Sequence, residues 1–152
     1  MKFSTRQDTD LPSDELFHVI SDFERIERLL VRRGALVSRI DPAKEPGAGM
    51  GWEIAFDWRG KQRDLRLDVI RFDRPEIVSI EGHSEQFNIM IDMRVIALTR
   101  SKARLQFELD LRPRSMKARL LLQTAKLGKA QLDRKFALGI AGVLADLTRA
   151  HA

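Results

Sequence analysis

The chain has 152 residues, a length expected of one domain spanning residues 1–152, and carries 27 basic against 22 acidic residues for a formal charge of +5. It has no cysteine, which excludes disulfides, thiolate metal ligands and a cysteine nucleophile, and its three histidines, His18, His83 and His151, share no metal-ligand spacing. No stretch approaches the roughly 20 apolar residues that cross a bilayer, and residues 1–10 lack the apolar core of a secretory signal, so a cytoplasmic protein is expected.

Residues 2–9 mix β-branched, aromatic and polar types and stop at Leu11-Pro12, as a first strand does. Ser13 is the expected N-cap of a helix with Asp14 and Glu15 in its first turn. Leu16, Phe17, Ile20, Phe23, Ile26, Leu29 and Leu30 then recur every three or four residues. That spacing predicts an amphipathic helix, or two short ones broken near Asp22, ending at Gly34. Residues 35–40 read as a short strand, and Asp41-Pro42-Ala43-Lys44-Glu45-Pro46-Gly47-Ala48-Gly49 as a turn-rich loop.

From Met50 the period becomes two. Met50, Trp52, Ile54, Phe56 and Trp58 alternate with Gly51, Glu53, Ala55, Asp57 and Arg59, the pattern of a strand with one face on a core. Residues 58–62 form a hairpin connection. Leu65, Leu67 and Val69 continue the alternation, but Ile70 and Phe72 have the opposite parity, which predicts a bulge or bend near Val69. After a turn at Asp73-Arg74-Pro75-Glu76, residues 77–80 form a strand and 82–85 a turn. Phe87, Ile89, Ile91, Met93, Val95 and Ala97, and then Ala103, Leu105, Phe107, Leu109 and Leu111, give two more alternating runs. Short connectors between successive strands point to an antiparallel meander.

Ser115 caps a final helix expected to run nearly to His151, on which Leu121, Ala125, Gly128, Leu132, Phe136, Gly139, Val143 and Leu147 fall on one stripe. Close approach to the sheet, or a bend, is expected to compensate for glycines 128, 139 and 142. The fold class is therefore α+β: a curved antiparallel sheet of about seven strands gripping a long C-terminal helix, with two short helices after the first strand.

This order resembles the START-like superfamily, also called the polyketide-cyclase, lipid-transport or SRPBCC group, with its helix-grip fold. The resemblance is carried by Leu11-Pro12-Ser13-Asp14-Glu15-Leu16-Phe17 with Ile20-Ser21-Asp22, by Pro46-Gly47-Ala48-Gly49-Met50-Gly51, by Asp73-Arg74-Pro75-Glu76 and by the long closing helix. It implies a cavity between sheet and helix for a lipid, quinone, polyketide-like or other apolar molecule, on a fold that several functions share.

The glycines at 47, 49 and 51 form no phosphate cradle, since neither Gly-Lys-Ser/Thr nor a helix follows them. The interior aromatics either fill the core or line a cavity. Residues expected around a ligand are Trp52, Phe56, Leu67, Ile91, Met93 and Phe107 on the sheet, with Leu132 and Phe136 on the helix. Lys129 either meets an anionic ligand head or pairs with Asp133 four residues on. Arg71, beside the expected bulge, faces either way.

His83, Ser84 and Glu85 are consecutive and cannot converge as a catalytic set, so no catalytic residue, metal ligand or cofactor is identified. A non-enzymatic binder is favoured over a cyclase, dehydratase or hydrolase using the same cavity. Arg112, Arg114, Lys117, Arg119, Lys126 and Lys129 form a basic segment beside a second apolar strip, Met116, Leu120 and Leu127. Such a helix suits an anionic membrane surface or a protein partner, unless rim loops or a second subunit cover the strip. Nucleic acid is disfavoured, and no oligomeric state is implied.

Overall fold

The computed structural model describes residues 1–41 and 45–151; Pro42, Ala43 and Lys44 of the expected loop lie outside the described residues. Strand β1 (Lys2–Thr9) is followed by helices α1 (Ser13–Ile20) and α2 (Phe23–Arg32). Strands β2 (Leu36–Arg39), β3 (Gly51–Trp58), β4 (Lys61–Asp73), β5 (Ile77–Ser84), β6 (Phe87–Ala97) and β7 (Ala103–Pro113) come next. Helix α3 (Met116–Ala125), a 3-10 turn (Lys126–Gly128) and helix α4 (Lys129–His151) close the chain. The seven strands form one open, curved antiparallel sheet in the order β1-β7-β6-β5-β4-β3-β2, so β2 to β7 is a meander and β1 returns beside β7. This is the helix-grip arrangement expected from the sequence. Among the described residues no helix is long and apolar enough to cross a membrane.

The two-residue loop Arg59-Gly60 joins β3 to β4 with φ of 53° and 72°, the left-handed pair that matches the twist of a tight hairpin. In β4 the register steps from Val69 opposite Ile80 to Arg71 opposite Ser79. Ile70 is the extra residue, turned out to solvent, and beyond it Phe72 rather than Arg71 faces the helices. The change of parity in the sequence is this bulge. Arg71 is exposed and pairs with Asp73 at 2.5 Å.

Several local expectations are corrected. Pro12, not Ser13, sits at the N-cap of α1 and no side chain caps it; the Leu16 amide bonds the Pro12 carbonyl at 2.9 Å. Asp22 does cap α2, accepting from the Arg25 amide at 3.4 Å, and this separates the two helices. Residues 82–84 are strand, not turn. Gly82 pairs with both Leu67 and Ile89, and a Cβ there would lie 2.5 Å from Leu67 Cδ2 and 2.9 Å from the Arg66 carbonyl. A glycine that reads as a turn is there for close packing. Trp58, of interior parity, lies at the exposed end of β3 with the Arg59 guanidinium 4.6 Å from its ring.

The closing helix starts where expected, Ser115 Oγ accepting from the Ala118 amide at 3.0 Å. The 3-10 turn interrupts it, and nothing lies within 4 Å of a Cβ built at Gly128, Gly139 or Gly142. These glycines therefore do not mark close approach to the sheet. Ala118 and Leu122 are buried in α3 and Leu144 and Leu147 in α4, within about 80° of one another at about 100° per residue, so one face of the closing helix stays on the body of the protein across the turn.

Candidate ligand cavity

Between the inner face of the sheet and the helices lies a cavity of about 290 Å³, just below the roughly 300–1,000 Å³ typical of small-molecule sites. The sheet supplies Trp52, Ile54, Leu67, Ile80, Ile91, Met93, Leu105 and Phe107, alternate residues of β3 to β7 that the pleat turns inward. Helix α2 supplies Phe23, Ile26, Glu27 and Leu30, spaced so that they share one side. The second half of α4 supplies Ile140, Val143, Leu144 and Leu147.

Almost no polar atom reaches the cavity surface. Among the described residues Glu27 is the one titratable residue in the lining, and its Oε1 accepts the indole N–H of Trp52 at 2.6 Å. A buried tryptophan needs a partner for that N–H. Here the bond also ties α2 to β3 and removes from the wall the one indole donor it holds. Nearby, Arg39 on β2 grips Asp41 through bonds of 3.0 and 3.3 Å, and Asp41 accepts from the Gly51 amide at 2.8 Å. The hydrogen bond to Asp41 raises the Arg39 pKa above its ordinary value, with smaller contributions from the charges of Asp41, Glu27 and Glu24. Among the described residues no group of three or more His, Asp or Glu is placed to hold a metal.

Of the residues expected around a ligand, Trp52, Leu67, Ile91, Met93 and Phe107 line this cavity. Phe56, Lys129, Leu132 and Phe136 do not reach its wall. Phe56 packs against the core one inward position beyond Ile54. The Phe136 ring lies 5.5 Å from Phe3 and 5.7 Å from Phe107, so the first half of α4 is seated on β1 and β7. Lys129 is paired with Asp133, and its Nζ is 4.5 Å from the Phe3 ring centre. Helix α2 supplies lining residues, Glu27 in particular, that the sequence expectations do not include. Their signal was a carboxylate at the four-residue spacing from Phe23, intruding on an apolar stripe.

No family model matches the chain, and no curated protein matches it in sequence. Solved structures do match in shape. The Zhui aromatase/cyclase from a Streptomyces species has a TM-score of 0.69 and 13% identity over 100% of this chain and 96% of that one. Norcoclaurine synthase from Thalictrum flavum, in complex with dopamine and hydroxybenzaldehyde, has a TM-score of 0.69 and 11% identity over 100% and 88%. A START superfamily protein from Mycobacterium smegmatis has a TM-score of 0.57 and 13% identity over 88% and 95%. At these identities the likeness is one of fold, and the chain has the START-like, helix-grip fold.

Proposed function

We propose that this chain is a cytoplasmic binder or carrier of an apolar small molecule, lipid, quinone or polyketide-like, held between the sheet and α4. The observation that carries the reading is the cavity of about 290 Å³ whose wall, among the described residues, is apolar except for Glu27. Trp52, Leu67, Ile91, Met93 and Phe107 contact the ligand from the sheet, with α2 and the second half of α4 opposite. The volume suits a ring system or one short chain rather than a two-chain lipid. Native mass spectrometry of the purified chain, with solvent extraction, is expected to recover such a molecule. An apolar fluorescent probe such as anilinonaphthalene sulfonate should bind and lose affinity in Val143→Phe, which fills the cavity. Failure to recover a molecule, with probe binding indifferent to Val143→Phe, would remove the reading.

A second reading is a cyclase-type enzyme using the same cavity. Its support is the shared fold with an aromatase/cyclase and a synthase, together with one carboxylate, Glu27, in the lining. General acid–base chemistry needs a group free to exchange a proton with the substrate. Glu27 is engaged by Trp52, which favours the carrier. Turnover of a polyketide-like substrate that is lost in Glu27→Gln would reverse that order.

A further inference from the structure

Residues 112–132 hold six basic side chains and no acidic one, leaving 21 basic against 22 acidic residues in the rest of the chain. The whole positive excess therefore lies at the end of β7, along α3 and through the turn into α4. Elsewhere some arginines are tied to carboxylates, as in Arg104–Asp8, Arg39–Asp41 and Arg66–Asp68. Within the segment Arg112 meets Asp110 and Lys129 meets Asp133. Lys117, Arg119 and Lys126 are exposed and have no carboxylate partner among the described residues.

These cations frame an apolar strip. Helix α3 buries Ala118 and Leu122 against the body of the protein. At about 100° per residue, Met116 and Leu120 project from the opposite side, with Lys117 and Arg119 on the two flanks. Met116 is 66% exposed and Leu120 56%, and the 3-10 turn carries Leu127 outward to 90%, next to Lys126. Single exposed apolar residues are ordinary, but two on one side of α3 and a third on the turn that follows it, edged by cations, suit an interfacial surface.

We infer that α3 and the turn after it dock on an anionic lipid surface. Met116, Leu120 and Leu127 enter the headgroup boundary, while Lys117, Arg119 and Lys126 meet lipid phosphates and carboxylates. Nucleic acid would answer the charge but not the strip, and residues 112–132 contain no aromatic side chain on which a base stacks. A second copy seated symmetrically on this strip would set its cations against their own duplicates. The inference is independent of what the cavity holds.

Co-sedimentation of the full chain with phosphatidylcholine vesicles, with and without phosphatidylserine, tests it. Binding is expected only with phosphatidylserine and should weaken as salt rises. Lys117→Gln with Arg119→Gln should weaken it about 25-fold, at about fivefold per cation. Leu127→Ser should weaken it at every salt concentration, with the circular dichroism spectrum unchanged because the residue is 90% exposed. Equal binding to neutral vesicles, or none to either, would overturn the inference, as would full affinity in the glutamine pair. An oligonucleotide bound in preference to vesicles, or self-association abolished by Leu127→Ser, would overturn it as well and assign the strip to that partner.

Discussion

The indole N–H of Trp52 donates to Glu27 Oε1 at 2.6 Å, joining a strand to a helix that the sequence separates by 25 positions. Because Trp52 is buried, Glu27→Ala leaves that donor unpaired and should cost roughly 1–3 kcal/mol of stability by urea denaturation. Glu27→Gln retains an acceptor and should recover most of the loss. In a Trp52→Phe background, which has no donor, the cost of Glu27→Ala should fall sharply. Equal cost in both backgrounds would show that the bond contributes nothing.

Gly82 on β5 pairs with Leu67 on β4, a residue of the cavity wall. Gly82→Ala places a methyl 2.5 Å from Leu67 Cδ2 and 2.9 Å from a backbone oxygen, a clash that only a shift of the strand can relieve. Overpacking of this kind costs about 1–3 kcal/mol. Thermal unfolding should show the loss, and the displaced Leu67 should lower probe affinity in the same variant.

Asp8 on β1 accepts two bonds from the Arg104 guanidinium on β7, at 2.6 and 3.2 Å. The hydrogen bond from Arg104 holds the Asp8 carboxyl below its ordinary value, helped by the charges of Arg104 and Lys102 against a smaller effect of burial. A carboxyl lowered on folding stabilises the folded state above its unfolded pKa, and the contribution disappears as pH falls through the lowered value. The melting temperatures of wild type and Asp8→Asn should therefore differ slightly at neutral pH and converge in acid. Both groups are solvent-exposed, so the difference should also shrink in high salt.

Ser115 is both the cap of α3 and a donor to Gln86 Oε1 at 2.6 Å in the β5–β6 connection. Ser115→Ala removes both bonds and should destabilise the chain by about 1 kcal/mol. Ser115→Asp keeps the cap acceptor without the donated bond, and should fall between the two in a denaturant titration.

The meander was legible because the pleat forces a period of two on every strand with one buried face. The run from Phe87 to Ala97 could be nothing else, and the parity change after Val69 marks the bulge at Ile70. The extent of β5 was not legible. Gly82 looks like a turn residue until the approach of Leu67, 15 positions earlier, is known. The sheet side of the cavity followed from alternation and Val143 and Leu147 from the helical stripe, whereas the part of α2 depended on a junction. The turn at Ser21-Asp22 sets how α2 lies on the sheet, and on α4 the expected stripe supplies both Phe136, which meets Phe3, and Val143 and Leu147, which face the void.

An apolar chamber holds water poorly, since each molecule needs two to four polar partners that Ile, Leu, Met and Phe walls do not offer. A guest entering this one would displace little ordered solvent and gain contact energy directly. Calorimetry should then record heat release near room temperature, a negative heat-capacity change and scant sensitivity to ionic strength.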